Sequence, residues 1–243
     1  MGEPGGLPQD GEDYQDAFAR IESAVEAGQA DLSGLGFWRL LRRVKVEPIL
    51  AEHWADQAGR IDRKAFETRV RFRFPVWFGN LVLLMGVLFG AAATVCGIRC
   101  DNQTVAGWAF VVAGVAWSVC VHDLAHWAVG RLVGISFLAY YIGFPPWPGL
   151  KIDYASYLRA SPTARAWMHA SGTLATKVAP FAVLGFCLAA NGPAWAVWVL
   201  VGIGAFQIVT DILFSRTSSD WKRVARERAL ARALARAQVG HRR

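Results

Sequence analysis

Apolar residues come in blocks along this chain, and the blocks set its architecture. Four runs are long enough to cross a bilayer, which takes ~20 residues of helix: 75–98, 105–130, 166–190 and 194–214. Each gives way to a polar or turn-forming cluster, namely Arg99-Cys100-Asp101-Asn102-Gln103, Arg131, Asn191-Gly192-Pro193 and Ser215-Arg216. The pattern predicts an all-α polytopic membrane protein with four transmembrane helices.

Outside these runs the chain is polar. Residues 1–31 are acidic and contain Gly and Pro, with Arg20 the one basic residue, and a short helix is expected over 13–27. Ser33-Gly34-Leu35-Gly36 reads as a loop, 37–43 as a basic amphipathic stretch, and 48–58 and 63–73 as two further helices. The 37–43 stretch is either a small packed helix or a surface helix with its aromatics among lipid headgroups. Between the second and third runs, 137–144 has strand character, Pro145-Pro146-Trp147-Pro148-Gly149 is a turn, and 150–154 alternates like a half-buried strand. A short cytoplasmic β-hairpin is expected there. Past the last run, Ser218-Ser219-Asp220 marks a helix N-cap. Residues 221–238 then form a basic amphipathic helix, lying on anionic lipid or in solvent. Three parts follow: a cytoplasmic N-terminal region (1–74), a four-span membrane domain (75–214) and a cytoplasmic basic tail (215–243).

Composition supports the membrane reading. Of the 243 residues, 54% are hydrophobic, high for a soluble chain. The net charge of +7 could point to nucleic acid. The basic residues, however, flank the start of the first run, the end of the second, the start of the third and the end of the fourth. By the positive-inside rule this places both termini and the 131–165 connection in the cytoplasm, with the lipid bilayer as partner and no nucleic acid. No leader peptide is expected at the acidic N-terminus. Cys96 and Cys100 flank an outside turn and are either a disulfide or a free pair. Cys120 and Cys187 read as small core residues, and none has zinc-finger spacing.

The candidate chemistry lies in the second run, at His122-Asp123-Leu124-Ala125-His126. Histidines four apart share one helix face, so two imidazoles can converge on one metal ion, with an adjacent acid to act on water. Ionisable groups at hydrocarbon depth are costly and mark function. The third run adds His169, Ser171, Thr173, Thr176 and Lys177, and the fourth adds Asp211. His126 and Asp211 each lie five residues inside a basic marker, Arg131 and Arg216, or ~7.5 Å along a helix. Both therefore fall at one depth, giving two histidines and a carboxylate. His169, four residues inside Arg165, reads as a surface-level polar residue.

These residues resemble the site-2 protease family of intramembrane zinc metalloproteases. The family's His-Glu-x-x-His, with a glycine eight residues on, is matched by His122-Asp123-Leu124-Ala125-His126 and Gly134. Its Ala-Gly-Pro-x-x-Asn motif is similar to Ser171-Gly172-Thr173-Leu174-Ala175-Thr176. Its Leu-Asp-Gly motif, which carries the third ligand, falls near Ser219-Asp220-Trp221. The resemblance covers about residues 105–222 and implies one Zn2+ per chain held by His122, His126 and an aspartate. Depth favours Asp211 for that third ligand, whereas motif offset keeps Asp220 open. The implied activity is hydrolysis of a membrane protein or transmembrane peptide, with Asp123 as general base. Thr176 or Lys177 is the implied oxyanion donor, although Lys177 can equally form an ion pair with Asp211. The implied location is a bacterial cytoplasmic membrane. Asp123 departs from the family's glutamate by one methylene, so a non-catalytic relative acting as a binding or regulatory module is the alternative. A di-iron oxygenase needs more than the five histidines present. A plain scaffold or transporter predicts no bound metal.

Overall fold

The computed structural model describes residues 14–143, 148–214 and 220–240. Four of its helices are apolar and long enough to span a membrane: α4 (Val76–Arg99), α5 (Gln103–Leu132), α7 (Pro162–Ala189) and α8 (Ala194–Phe214). The chain is an all-α polytopic membrane protein carrying one small antiparallel sheet. The described residues divide into two compact units. One is drawn from Met1–Pro75, Gly134–Ser161 and Ala233–Arg243, the other from Val76–Val133 and Pro162–Arg232.

The first unit contains α1 (Tyr14–Glu26), α2 (Phe37–Val44), α3 (Pro48–Arg69) and α6 (Tyr154–Arg159), with strands β1 (Phe72–Phe74), β2 (Phe137–Ile142) and β3 (Pro148–Ile152). Phe18, Phe37, Leu41 and Ile61 are fully buried in its core with Leu158 of α6. The amphipathic stretch at 37–43 therefore packs as an ordinary helix, its Phe37, Leu40, Leu41 and Val44 buried inward. The two helices expected over 48–58 and 63–73 are one. Gly59 does not break α3: a Cβ there would lie 2.7 Å from Ala155 Cβ, so the glycine serves close packing rather than a turn. The end of the second expected helix is instead β1, which pairs antiparallel with β2 in the register Phe72↔Ile142 and Phe74↔Tyr140. β2 pairs in turn with β3, Tyr140↔Leu150. The expected hairpin is present, as the two later strands of a three-stranded sheet. Phe144, the end of the first expected strand, and Pro145–Trp147 of the expected turn lie outside the described residues, while Pro148 and Gly149 belong to β3. The second hairpin strand ends early because Asp153 caps α6, accepting from the Ser156 amide at 3.4 Å.

In the second unit, small residues on α4 let α5 approach closely. Gly86 lies against Cys120, Gly90 against Trp117 and Gly97 against Phe110. Spacings of four and seven residues put these glycines on one face, the usual packing device inside a bilayer. Trp117 Nε1 donates to the Val87 carbonyl at 2.9 Å. Gly107 and Gly114 of α5 do the same for Trp195 and Leu200 of α8. The outward faces carry exposed apolar side chains such as Leu88, Phe89, Val119 and Phe206, as lipid contact requires. Asn102 caps α5, its Oδ1 accepting from the Thr104 and Val105 amides at 3.0 and 3.2 Å. Just past α5, Gly134 adopts φ +83, the left-handed geometry that ends helices and that glycine takes without strain. All four cysteines are free thiols.

The tail is helical, α9 (Asp220–Gly240). Its first turns are neither fully solvated nor free to lie on lipid. Val224 packs with Ala166 and Ala170 of α7, and Glu227 is buried. Ser218 and Ser219, expected to cap it, lie outside the described residues.

Candidate metal centre

Both histidines of the pair project from the same face of α5. His126 is buried and His122 half-buried. Each ring is tied down through Nδ1. His126 Nδ1–H donates to the Met168 carbonyl of α7 at 2.7 Å. His122 Nδ1 lies 3.0 Å from Thr176 Oγ1, whose own proton goes to the Gly172 carbonyl at 2.9 Å. The threonine oxygen is therefore the acceptor and His122 Nδ1–H the donor. Fixing Nδ1–H in both rings leaves both Nε2 lone pairs facing inward, the arrangement by which outer partners orient metal-binding imidazoles.

The two Nε2 atoms stand 3.2 Å apart. Asp220 Oδ2 lies 3.2 Å from His126 Nε2 and 3.6 Å from His122 Nε2. Three electron-rich atoms at these separations repel one another unless a proton or a metal cation sits among them. Bonds of ~2.0–2.1 Å in tetrahedral geometry place neighbouring ligand atoms roughly 3.3 Å apart, so the three atoms fit one face of a zinc tetrahedron. The donor set of two imidazoles and a carboxylate suits zinc and leaves a fourth position for water. Among the described residues, His122, His126 and Asp220 form a cluster able to hold a metal ion.

The other oxygen of Asp220 is held from behind. Arg223 Nη1 donates to Oδ1 at 3.4 Å, and His169 Nδ1 faces it at 3.7 Å. His169 is thus no surface residue. It is 3% exposed, because α9 covers the part of α7 that the sequence placed near solvent. Burial alone would push the Asp220 carboxyl up. With no metal ion bound, a proton shared with His126 Nε2, the nearby His169 ring and the charge of Arg223 outweigh that and hold it well below the usual carboxylate range. Its place at the start of α9 adds the favourable end of the helix dipole.

The structure separates the two aspartates that the sequence left open. Asp211 is not in the cluster. Its Oδ2 accepts from Lys177 Nζ and, at 3.0 Å, from Trp221 Nε1. The depth comparison that favoured Asp211 assumed that chain beyond Arg216 leaves the membrane domain, whereas α9 packs along α7. Thr176 and Lys177, expected as oxyanion donors, are engaged elsewhere, Thr176 as the acceptor for His122 and Lys177 with Asp211. Asp123, half-buried, makes no hydrogen bond or ion pair with another described residue, yet its charge is felt by both histidines and Asp220.

Gly172 has a role that the motif alone did not explain. A Cβ there would lie 2.6 Å from Cδ2 and 2.7 Å from Cε1 of His126, so only glycine leaves room for that ring. Sequence reasoning set His169 aside as a surface-level residue and missed Arg223. The signal for Arg223 was its position one helical turn after Asp220.

No family model matches this chain, and no curated protein or solved structure does either. What the site can do follows from its own atoms.

Proposed function

We propose that this protein is a zinc-dependent intramembrane endopeptidase of the site-2 protease type, cleaving a membrane-embedded protein or transmembrane peptide. The observation that carries this reading is the convergence of His122 Nε2, His126 Nε2 and Asp220 Oδ2 beside an uncommitted carboxylate, Asp123, within an apolar helix bundle. His122, His126 and Asp220 would hold the ion. Zinc in such a site supplies Lewis acidity, making water more acidic and polarising a carbonyl. Asp123 takes the proton of the attacking water and returns it to the departing amine, so the peptide C–N bond is replaced by a carboxyl and an amine. Thr176 and Met168 keep both imidazoles in the one tautomer that presents Nε2. The likeness of Gly134 and of Ser171–Thr176 to family motifs supports the same assignment, and the basic residues flanking the spans support an orientation with both termini on the cytoplasmic side.

The second reading is a metal-binding but non-catalytic module, favoured by Asp123 being one methylene shorter than glutamate. Cleavage of a model transmembrane peptide by the purified chain decides between them. The protease reading expects turnover that falls at least 100-fold in Asp123→Ala and vanishes with chelator. Equal background rates in wild type and Asp123→Ala refute it.

A further inference from the structure

Asp220 reaches the histidines because α9 docks on α7 in one register. The contacts descend both helices in order. Asp220 meets His169, Val224 sits between Ala166 and Ala170, and Glu227 meets Arg165. Positions 220, 224 and 227 lie on one face of α9, ~10.5 Å from first to last, while their partners step backward along α7. The last contact is unlike the others. Arg165 Nε donates to Glu227 Oε2 at 2.7 Å, with the two side chains 2% and 8% exposed. A buried ion pair adds little stability over an apolar pair of similar size. Its best-attested use is to fix register, because any slip buries two unpaired charges. Here a slip of one turn would also carry Asp220 ~5.4 Å from the histidines.

We infer that Arg165 and Glu227 are positioning residues that set the register of α9 on α7 and so deliver Asp220 Oδ2 to the metal site. This rests on the metal-site reading above. The pair touches neither the ion nor the reacting atoms, and it acts through the helix that carries Asp220.

The test uses the full chain in detergent, with Zn2+ affinity measured against a chromophoric chelator and the visible spectrum of the Co2+-loaded protein as a second readout. The variant is Arg165→Met/Glu227→Met, which keeps bulk and removes both charges. Its helical content and thermal midpoint are expected to match wild type, while Zn2+ affinity falls at least tenfold and the tetrahedral Co2+ bands weaken. A merely stabilising pair would leave both metal readouts unchanged in a folded variant, and that result overturns the inference alone. A wild-type chain that takes up no more Zn2+ than His122→Ala/His126→Ala overturns the metal-site reading and the inference with it. If the double variant does not fold, Glu227→Gln decides by the same tenfold criterion.

Discussion

His126 Nε2 and Asp220 Oδ2 stand 3.2 Å apart although 94 positions separate them in the chain. One belongs to a membrane span and the other opens the tail helix, so the candidate site exists only when α9 is docked on α7.

The first consequence concerns the neighbouring aspartate. Asp211 is committed to Lys177 and Trp221, not to the histidines. Asp211→Ala should therefore keep full Zn2+ stoichiometry by elemental analysis, with a stability loss on the order of 3 kcal/mol, because the pair is mostly buried and the change leaves Lys177 unpaired. Loss of the metal in this variant would return Asp211 to the ligand set.

Gly172 sets how closely α7 approaches the His126 ring. Gly172→Ala forces a methyl into that ring, an overpacking cost of about 1–3 kcal/mol. Zn2+ affinity should drop while the helix content read by circular dichroism stays constant. An alanine variant with unchanged affinity would mean that His126 sits elsewhere.

Thr176→Val tests the outer partner of His122. Valine keeps the shape and removes the oxygen that accepts from Nδ1–H. Loss of such a partner typically weakens metal binding about 10–100-fold. An unchanged dissociation constant would show that the tautomer is set by another group.

The buried acid of the first unit gives a pH signature. Burial raises the Asp62 carboxyl above its ordinary value, Lys151 at 2.6 Å only partly offsets that, and Asp153 adds to it. The folded chain thus holds this proton more tightly than the unfolded one. The stabilisation is present at low pH and is lost as pH rises through the elevated value. Thermal midpoints of wild type and Asp62→Asn, compared from about pH 4 to about pH 7, should diverge in favour of Asn as pH rises. A difference that is flat across this range would contradict the burial argument.

Much of the fold can be read from the chain because hydrocarbon sorts residues by apolarity alone. The spans begin and end within a few residues of the runs that predict them, and the 122/126 spacing by itself puts both imidazoles on one face. What escapes is non-local. Nothing near Phe72 announces that it will pair with Ile142, so β1 reads as the end of a helix. Gly59 looks like a break because the Ala155 that fills its notch lies far along the chain. His169 and Asp220 were misjudged in depth for a shared reason. Arg165 looked like a solvent marker, yet Glu227 of the tail buries it, and the same docking brings Asp220 inward.

The most direct measurement is the zinc content and zinc-edge X-ray absorption of the purified full chain, beside Asp220→Ala. One Zn2+ per chain is expected, bound by two imidazole nitrogens and a carboxylate oxygen, with loss of the metal in the variant. A wild-type chain without zinc, or a zinc site unchanged by Asp220→Ala, would contradict this assignment.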